Sequence, residues 1–134
     1  MPVTVAVNAP MTVVHKSSNG MVIVFPDVCK TPSPAGPVPI PYPNIAQSAD
    51  VTDTATTVLA DGQKIAIKTS VFSKSSGDEP GTAGGVVSSV NRGKAKFVNY
   101  SFDVKAEGQN VPRKLDPMIQ NGGGSYNTPP SPLL

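Results

Sequence analysis

Short alternations of apolar and polar residues, each broken within a few positions by Gly, Pro or Asn, recur along the whole chain. Val3, Val5 and Val7 alternate with Thr4 and Ala6 and end at Asn8-Ala9-Pro10, the pattern of a short strand with its stop signal. Met11–Val14 and Met21–Phe25 flank Lys16-Ser17-Ser18-Asn19-Gly20, whose Asn-Gly pair supplies the positive φ of a tight reversal. A hairpin is predicted there. A second is predicted where Asp61-Gly62 separates Thr56–Leu59 from Lys64–Lys68, with Ile65 and Ile67 on one face. Tyr100, Phe102, Val104 and Ala106 alternate with Ser101, Asp103 and Lys105, which predicts a strand with one buried face; Val111–Leu115 predicts a last short one. Residues 45–56 leave loop and a single helical turn both open.

Between the first two hairpins the pattern changes. Phe25–Asn44 holds seven prolines, which fix φ and remove the donors a sheet ladder needs. The expectation is a stiff strap on the surface. Val38, Ile40 and Tyr42 stand between its prolines, either as a docking element or as a seal on the domain's own core. Lys74–Gly93 is rich in Gly, Ser and Asp, but SSGDEPGTAGG lacks a lysine after its last glycine and a strand leading in. A compact loop with positive-φ glycines is expected, with Asp78 and Glu79 as solvated acids on opposite sides. From Gln120 the sequence NGGGSYNTPPSPLL lacks the apolar content of a core. The organisation predicted is a folded domain over 1–119 and a Gly/Pro-rich C-terminal tail over 120–134. Its class is all-β: a small compact unit of short strands and hairpins, long Pro/Gly-rich loops and little helix.

Composition narrows the function. At 134 residues and 38% hydrophobic content the chain is one domain with a modest core, and 12 Gly with 15 Pro disfavour long helices. The net charge is +2, and the basic residues are scattered apart from Arg92, Lys94 and Lys96, which read as a solvated face. This argues against a nucleic-acid partner. One cysteine excludes an internal disulfide and fits a reducing compartment. The first twenty residues lack a basic region followed by an unbroken apolar run, so synthesis in the cytosol without a signal peptide is expected, with any export left to another machine.

His15 and Cys29 are the single histidine and the single thiol. A structural zinc takes four ligands, so these two would need acids or water to complete a set. The simpler reading is a buried Cys29 and a surface His15. A Cys–His catalytic pair needs an orienting group and an oxyanion site, neither of which is signalled. No catalytic residue and no cofactor-binding loop is predicted.

The strings DVCKTPSPAGPVPIPYPNIAQSAD (Asp27–Asp50), SVFSKSSGDEPGTAGGVVSS (Ser70–Ser89) and GKAKFVNYSFDVKAEGQNVPR (Gly93–Arg113) resemble the PAAR-like domains of bacterial type VI secretion and related contractile injection systems. The resemblance runs from about His15 to Met118. It implies a β-rich cone that caps the trimeric VgrG spike, one tip per trimer, made in the bacterial cytoplasm and then driven through a target membrane. It also implies a non-enzymatic role, with an effector fused or docked, helped where needed by an adaptor chaperone. Exposed strand edges are expected to make the spike contact by β-augmentation. The better-known PAAR proteins hold zinc with three histidines and one cysteine; here only His15 and Cys29 carry over as metal candidates. A metal completed by acids or water and no metal at all both stay open. Since no toxin segment follows Leu134 in this sequence, a standalone tip or a carrier of non-covalent cargo is expected. The alternatives are a small effector hydrolase using Cys29 and His15, and a cytosolic adaptor for proline-recognition modules.

Overall fold

A computed structural model of the chain describes residues 3–134; Met1 and Pro2, included in the expected 1–119 domain, lie outside the described residues. The longest elements are β1 (Met21–Thr31) and β2 (Val38–Gln47), an antiparallel pair. In β1, Val22 and Val24 face inward; an extra residue between Val24 and Asp27 then shifts the phase, so that Asp27 and Cys29 also face inward. The bulge turns a polar pair toward the interior.

One expectation fails here. Met21–Ile23 pair with Gln47–Ile45 and not with residues 11–14, so the first predicted hairpin does not form; Thr12 and Val13 instead bridge to Ala6 and Arg113. The proline strap lies on the surface as expected, but it is not unpaired, because its second half is β2 itself. The odd-numbered residues of β2 face the edge away from β1, as the backbone bonds between Ile45 and Ser76 show. Pro39, Pro41 and Pro43 share that parity, so their missing donors all fall on the outer edge and leave the pairing with β1 intact.

A five-stranded antiparallel sheet carries the main core, in the order β11 (Ser131–Pro132), β10 (Pro117–Gly122), β7 (Lys94–Phe97), β6 (Val71–Phe72) and β3 (Val51–Thr52). Phe72 and Phe97 meet edge to face at 5.8 Å and pack with Val14, Val22, Met118 and Leu133. A second cluster joins Val7, Val13, Ile65, Ile67 and Val111. Two tight hairpins complete the fold. β4 (Leu59–Ala60) and β5 (Gln63–Lys64) turn at Asp61-Gly62 (φ 52° and 77°), where the sequence predicts the turn, but the strands are two residues each and Ile65–Ile67, all buried, lie beyond β5. β8 (Lys105–Ala106) and β9 (Gln109–Asn110) turn at Glu107-Gly108. Residues 45–56, open between loop and a single helical turn, are instead the end of β2, a 3-10 turn at Ser48–Asp50, β3 and a loop. The architecture is all-β, and among the described residues no helix is long and apolar enough to cross a membrane.

Three further expectations are corrected. The predicted strand over 100–106 shrinks to Lys105–Ala106, and Phe102 is 86% exposed; the strand that alternates is β7, with Ala95 and Phe97 inside and Lys94 and Lys96 outside. Residues 111–115 hold only the Arg113 bridge. Most consequentially, residues 120–134 are not a tail. Gln120–Gly122 finish β10, Ser131 pairs with Met118, and Leu133 is fully buried in the main core. Leu134 exchanges both backbone bonds with Met21, and Leu133 donates to Asp116 O and accepts from Leu115 N. Low apolar content does not prevent this, because one leucine and a set of backbone bonds anchor the segment.

Beside that anchor, Arg113 forks onto Asp116 with Nε and Nη2 each 2.9 Å from a carboxylate oxygen, while Nη1 donates to Asn8 Oδ1 at 2.9 Å. Both members are nearly buried. The pair ties the N-terminal segment to the entry of β10.

Candidate functional site

The bulge in β1 presents Asp27 and Cys29 to a pocket of polar side chains closed by the Gly-rich segment and by β10 with the loop that follows it. Asp27 Oδ1 accepts from Asn121 Nδ2 at 3.1 Å and from Asn127 Nδ2, and stands 3.5 Å from Cys29 Sγ. Asp78 enters from the opposite wall, its Oδ2 3.7 Å from the same sulfur. Its carboxylate accepts from the Arg92 backbone N–H, while the Asn91 amide holds the carbonyls of Asp78 and Gly81. Asp27, Cys29 and Asp78 are all completely buried, and Asp27 Oδ2 has no hydrogen-bond partner.

The electrostatics are unfavourable to charge. Burial first, then the neighbouring Asp27 and Asp78 carboxylates, push the Cys29 thiol up to about 12. Burial and the contact with Asp27 raise Asp78 to about 7, against the Arg92 N–H, which favours its anion. Neither carboxylate forms an ion pair with a basic side chain among the described residues, where Arg113 pairs with Asp116 and the His15 ring meets Asp61.

Glycine makes the enclosure possible. A Cβ on Gly81 would sit 2.4 Å from Cys29 Cβ, and one on Gly77, at φ 122°, 2.2 Å from the Pro43 carbonyl oxygen. The Gly-rich stretch is therefore a lid packed directly on β1 and β2, with glycine where backbones meet. Gly81→Ala should lower stability by about 1–3 kcal/mol through overpacking. Thermal melts of the pure variant check this, and an unchanged melting temperature would mean that the lid does not bear on Cys29.

The two residues singled out in the sequence are not brought into one cluster. Cys29 is buried as expected. His15 is buried too, contrary to its reading as a surface residue: Nδ1 accepts from Ser17 N at 3.1 Å, and Nε2 lies 3.3 Å from Asp61 Oδ2 at the hairpin tip. Asp61 is held below the usual carboxylate range, chiefly by the Thr4 hydroxyl. Asp78, taken for a solvated acid, is interior, whereas Glu79 is exposed. Asp27, Asn121 and Asn127 were missed. The Asp-x-Cys spacing puts Asp27 and Cys29 on one face of a strand, but nothing local marks the asparagines, which arrive from a segment read as a tail.

A small all-β domain whose proline-edged hairpin is locked to a glycine lid over a buried acid–thiol cluster defines a braced scaffold. The chain matches the family model described as the toxin PAAR-like domain over residues 20–130, and it belongs to that family. It is 41% identical over 133 residues to the DNase toxin Tse7 of Pseudomonas aeruginosa, a match covering 92% of this chain and 34% of that protein. The chain thus spans about a third of the length of this curated relative. No solved structure matches it. The reading of the chain as strictly non-enzymatic is corrected by this comparison, since the relative is named for an enzymatic activity, DNA cleavage.

Proposed function

We propose that this chain is the spike-docking module of a DNA-cleaving toxin delivered by a type VI secretion system or a related contractile injection system. It caps the trimeric VgrG spike, one copy per trimer, and travels with the toxin activity into the target cell. The observation that carries this is the family match over nearly the whole domain, supported by the DNase named in the relative. The braced architecture fits a part that must transmit force, because proline-fixed strands and a glycine-packed lid have little freedom left to lose. Pro39, Pro41 and Pro43 strip donors from the free edge of β2, so the spike contact falls to side chains or to other edges.

Light scattering on a chromatographed mixture of this chain with the trimeric spike protein of the same cell tests the docking. One chain per trimer is expected. A folded sample that never co-elutes with the trimer would remove the spike assignment. Incubating plasmid with the complete polypeptide that carries this domain tests the toxin reading; DNA left intact under conditions that support metal-dependent and metal-independent nucleases would remove it.

A further inference from the structure

The acid–thiol cluster has an imbalance that its own hydrogen bonds do not resolve. Three acidic groups converge with their ligand atoms within 4.8 Å of one another, fully buried and, among the described residues, without an ion pair to a basic side chain. The N–H donors reaching them are the Asn121 and Asn127 amides and the backbone N–H groups of Arg92 and Asp78; both amide bonds to Asp27 fall on Oδ1, and Asn121 Nδ2 also lies 3.5 Å from Cys29 Sγ. Among the described residues Asp27 Oδ2 accepts from no N–H, so the hydrogen bond between the Asp27 and Asp78 carboxyls, which needs a proton, is the one protein contact left to relieve it. The spacing matches what a metal would impose. A tetrahedral zinc, with bonds of about 2.3 Å to sulfur and about 2.0 Å to oxygen, sets a sulfur–oxygen separation of about 3.5 Å. Cys29 Sγ stands 3.5 Å from the Asp27 carboxylate and 3.7 Å from that of Asp78.

We propose that Asp27, Cys29 and Asp78 form an interior site for one divalent, thiolate-preferring cation, with zinc the ion that their donor set fits. The thiolate selects a borderline-soft metal over magnesium or calcium, and the two carboxylates supply the remaining anionic ligands. A water or the second Asp27 oxygen completes the shell. On binding, Cys29 gives up its proton, and so does Asp78 where it carries one; the metal then compensates charges that burial alone makes unfavourable. Asn121 and Asn127 hold Asp27 through Oδ1, and Asn121 also reaches Cys29 Sγ, so the two amides orient the ligands as outer-shell donors do in metal centres. His15, engaged with Asp61, takes no part. The ion would cross-link β1 to the glycine lid, with the C-terminal segment holding Asp27 in place. This site is independent of the docking role and of the toxin reading.

The test uses the complete chain, stripped with chelator and titrated with cobalt(II) alone. The expected result is one cobalt per chain with an intense sulfur-to-metal charge-transfer band, which zinc then abolishes by displacement. Cys29→Ser should remove that band, and Asp78→Asn should weaken binding at least tenfold. Zinc should raise the melting temperature of the stripped wild type. Should the variants fail to fold, the cobalt spectrum of the wild type still reports directly on a thiolate ligand. A folded, stripped wild type that binds no cobalt, or binds it without the thiolate band, overturns the proposal. So does an Asp78→Asn variant at least as stable as wild type together with no response of the wild type to zinc; that outcome would assign the cluster to a proton shared between the two carboxyls.

Discussion

Deleting residues 120–134 should abolish the cooperative unfolding transition, and Leu133→Ala alone should lower the melting temperature by about 10 °C. The deletion removes half of β10, all of β11, the backbone exchange between Leu134 and Met21, and both amides that hold Asp27. The point substitution isolates one part of this. Leu133 is 1% exposed, packs with Phe72, Phe97 and Met118, and fills the space over Gly20, where an added Cβ would lie 3.1 Å from it. Truncating a leucine in such a setting costs about 2–5 kcal/mol. For a domain of this size that is roughly 4 °C per kcal/mol. Circular dichroism melts of both variants decide the matter: a truncated chain ending at Ile119 that melts sharply at the wild-type temperature would show that the last fifteen residues are dispensable.

The second large effect is expected at Arg113. Arg113→Ala leaves the Asp116 carboxylate buried with its forked partner gone, and it releases Asn8 as well. Removing one member of a buried pair costs about 3–5 kcal/mol, a large part of the roughly 5–15 kcal/mol that a domain of this size commands. Replacing both residues together, as Arg113→Met with Asp116→Leu, should recover part of the loss. Recovery should be incomplete, because Asp116 Oδ2 also accepts from the Arg113 backbone N–H at 2.7 Å. Urea titrations measure each step. A cost below about 1 kcal/mol for the single substitution would put the pair in the class of solvent-screened surface bridges.

Local chemistry was readable wherever two adjacent residues decide the backbone. Asp61-Gly62 forms the turn expected of it, and the all-β class follows from the scarcity of long apolar periods among so many turn residues. What could not be read was pairing. Met21–Phe25 is expected to pair with residues 11–14 nearby but pairs with residues 44–47 beyond the prolines, and that strand is compatible with the pairing through the parity of Pro39, Pro41 and Pro43, not through their number. The same limit hid the site. Asp27 and Cys29 are close in sequence, but Asp78 lies 49 residues from Cys29, and Asn121 and Asn127 more than ninety from Asp27. Their convergence follows from the register of β10 and from a C-terminal segment whose composition points outward while Leu133 points in.

The outer edge of β2 also bears on how copies of this protein behave toward one another. A bare sheet edge is a template: any extended chain that offers matching donors and acceptors can zip onto it, and identical molecules crowded together can grow into filaments. At Pro39 and Pro41 that edge offers carbonyl oxygens and no N–H, so an incoming strand finds half of each expected bond missing at two successive outward positions, and at Pro43 the carbonyl already abuts Gly77. Further along, Ser76 already occupies the bonding positions of Ile45. The longest hairpin in the molecule is thus capped against polymerisation along its whole free side, which lets its apolar residues Ile23 and Phe25 remain exposed without inviting strand-by-strand growth.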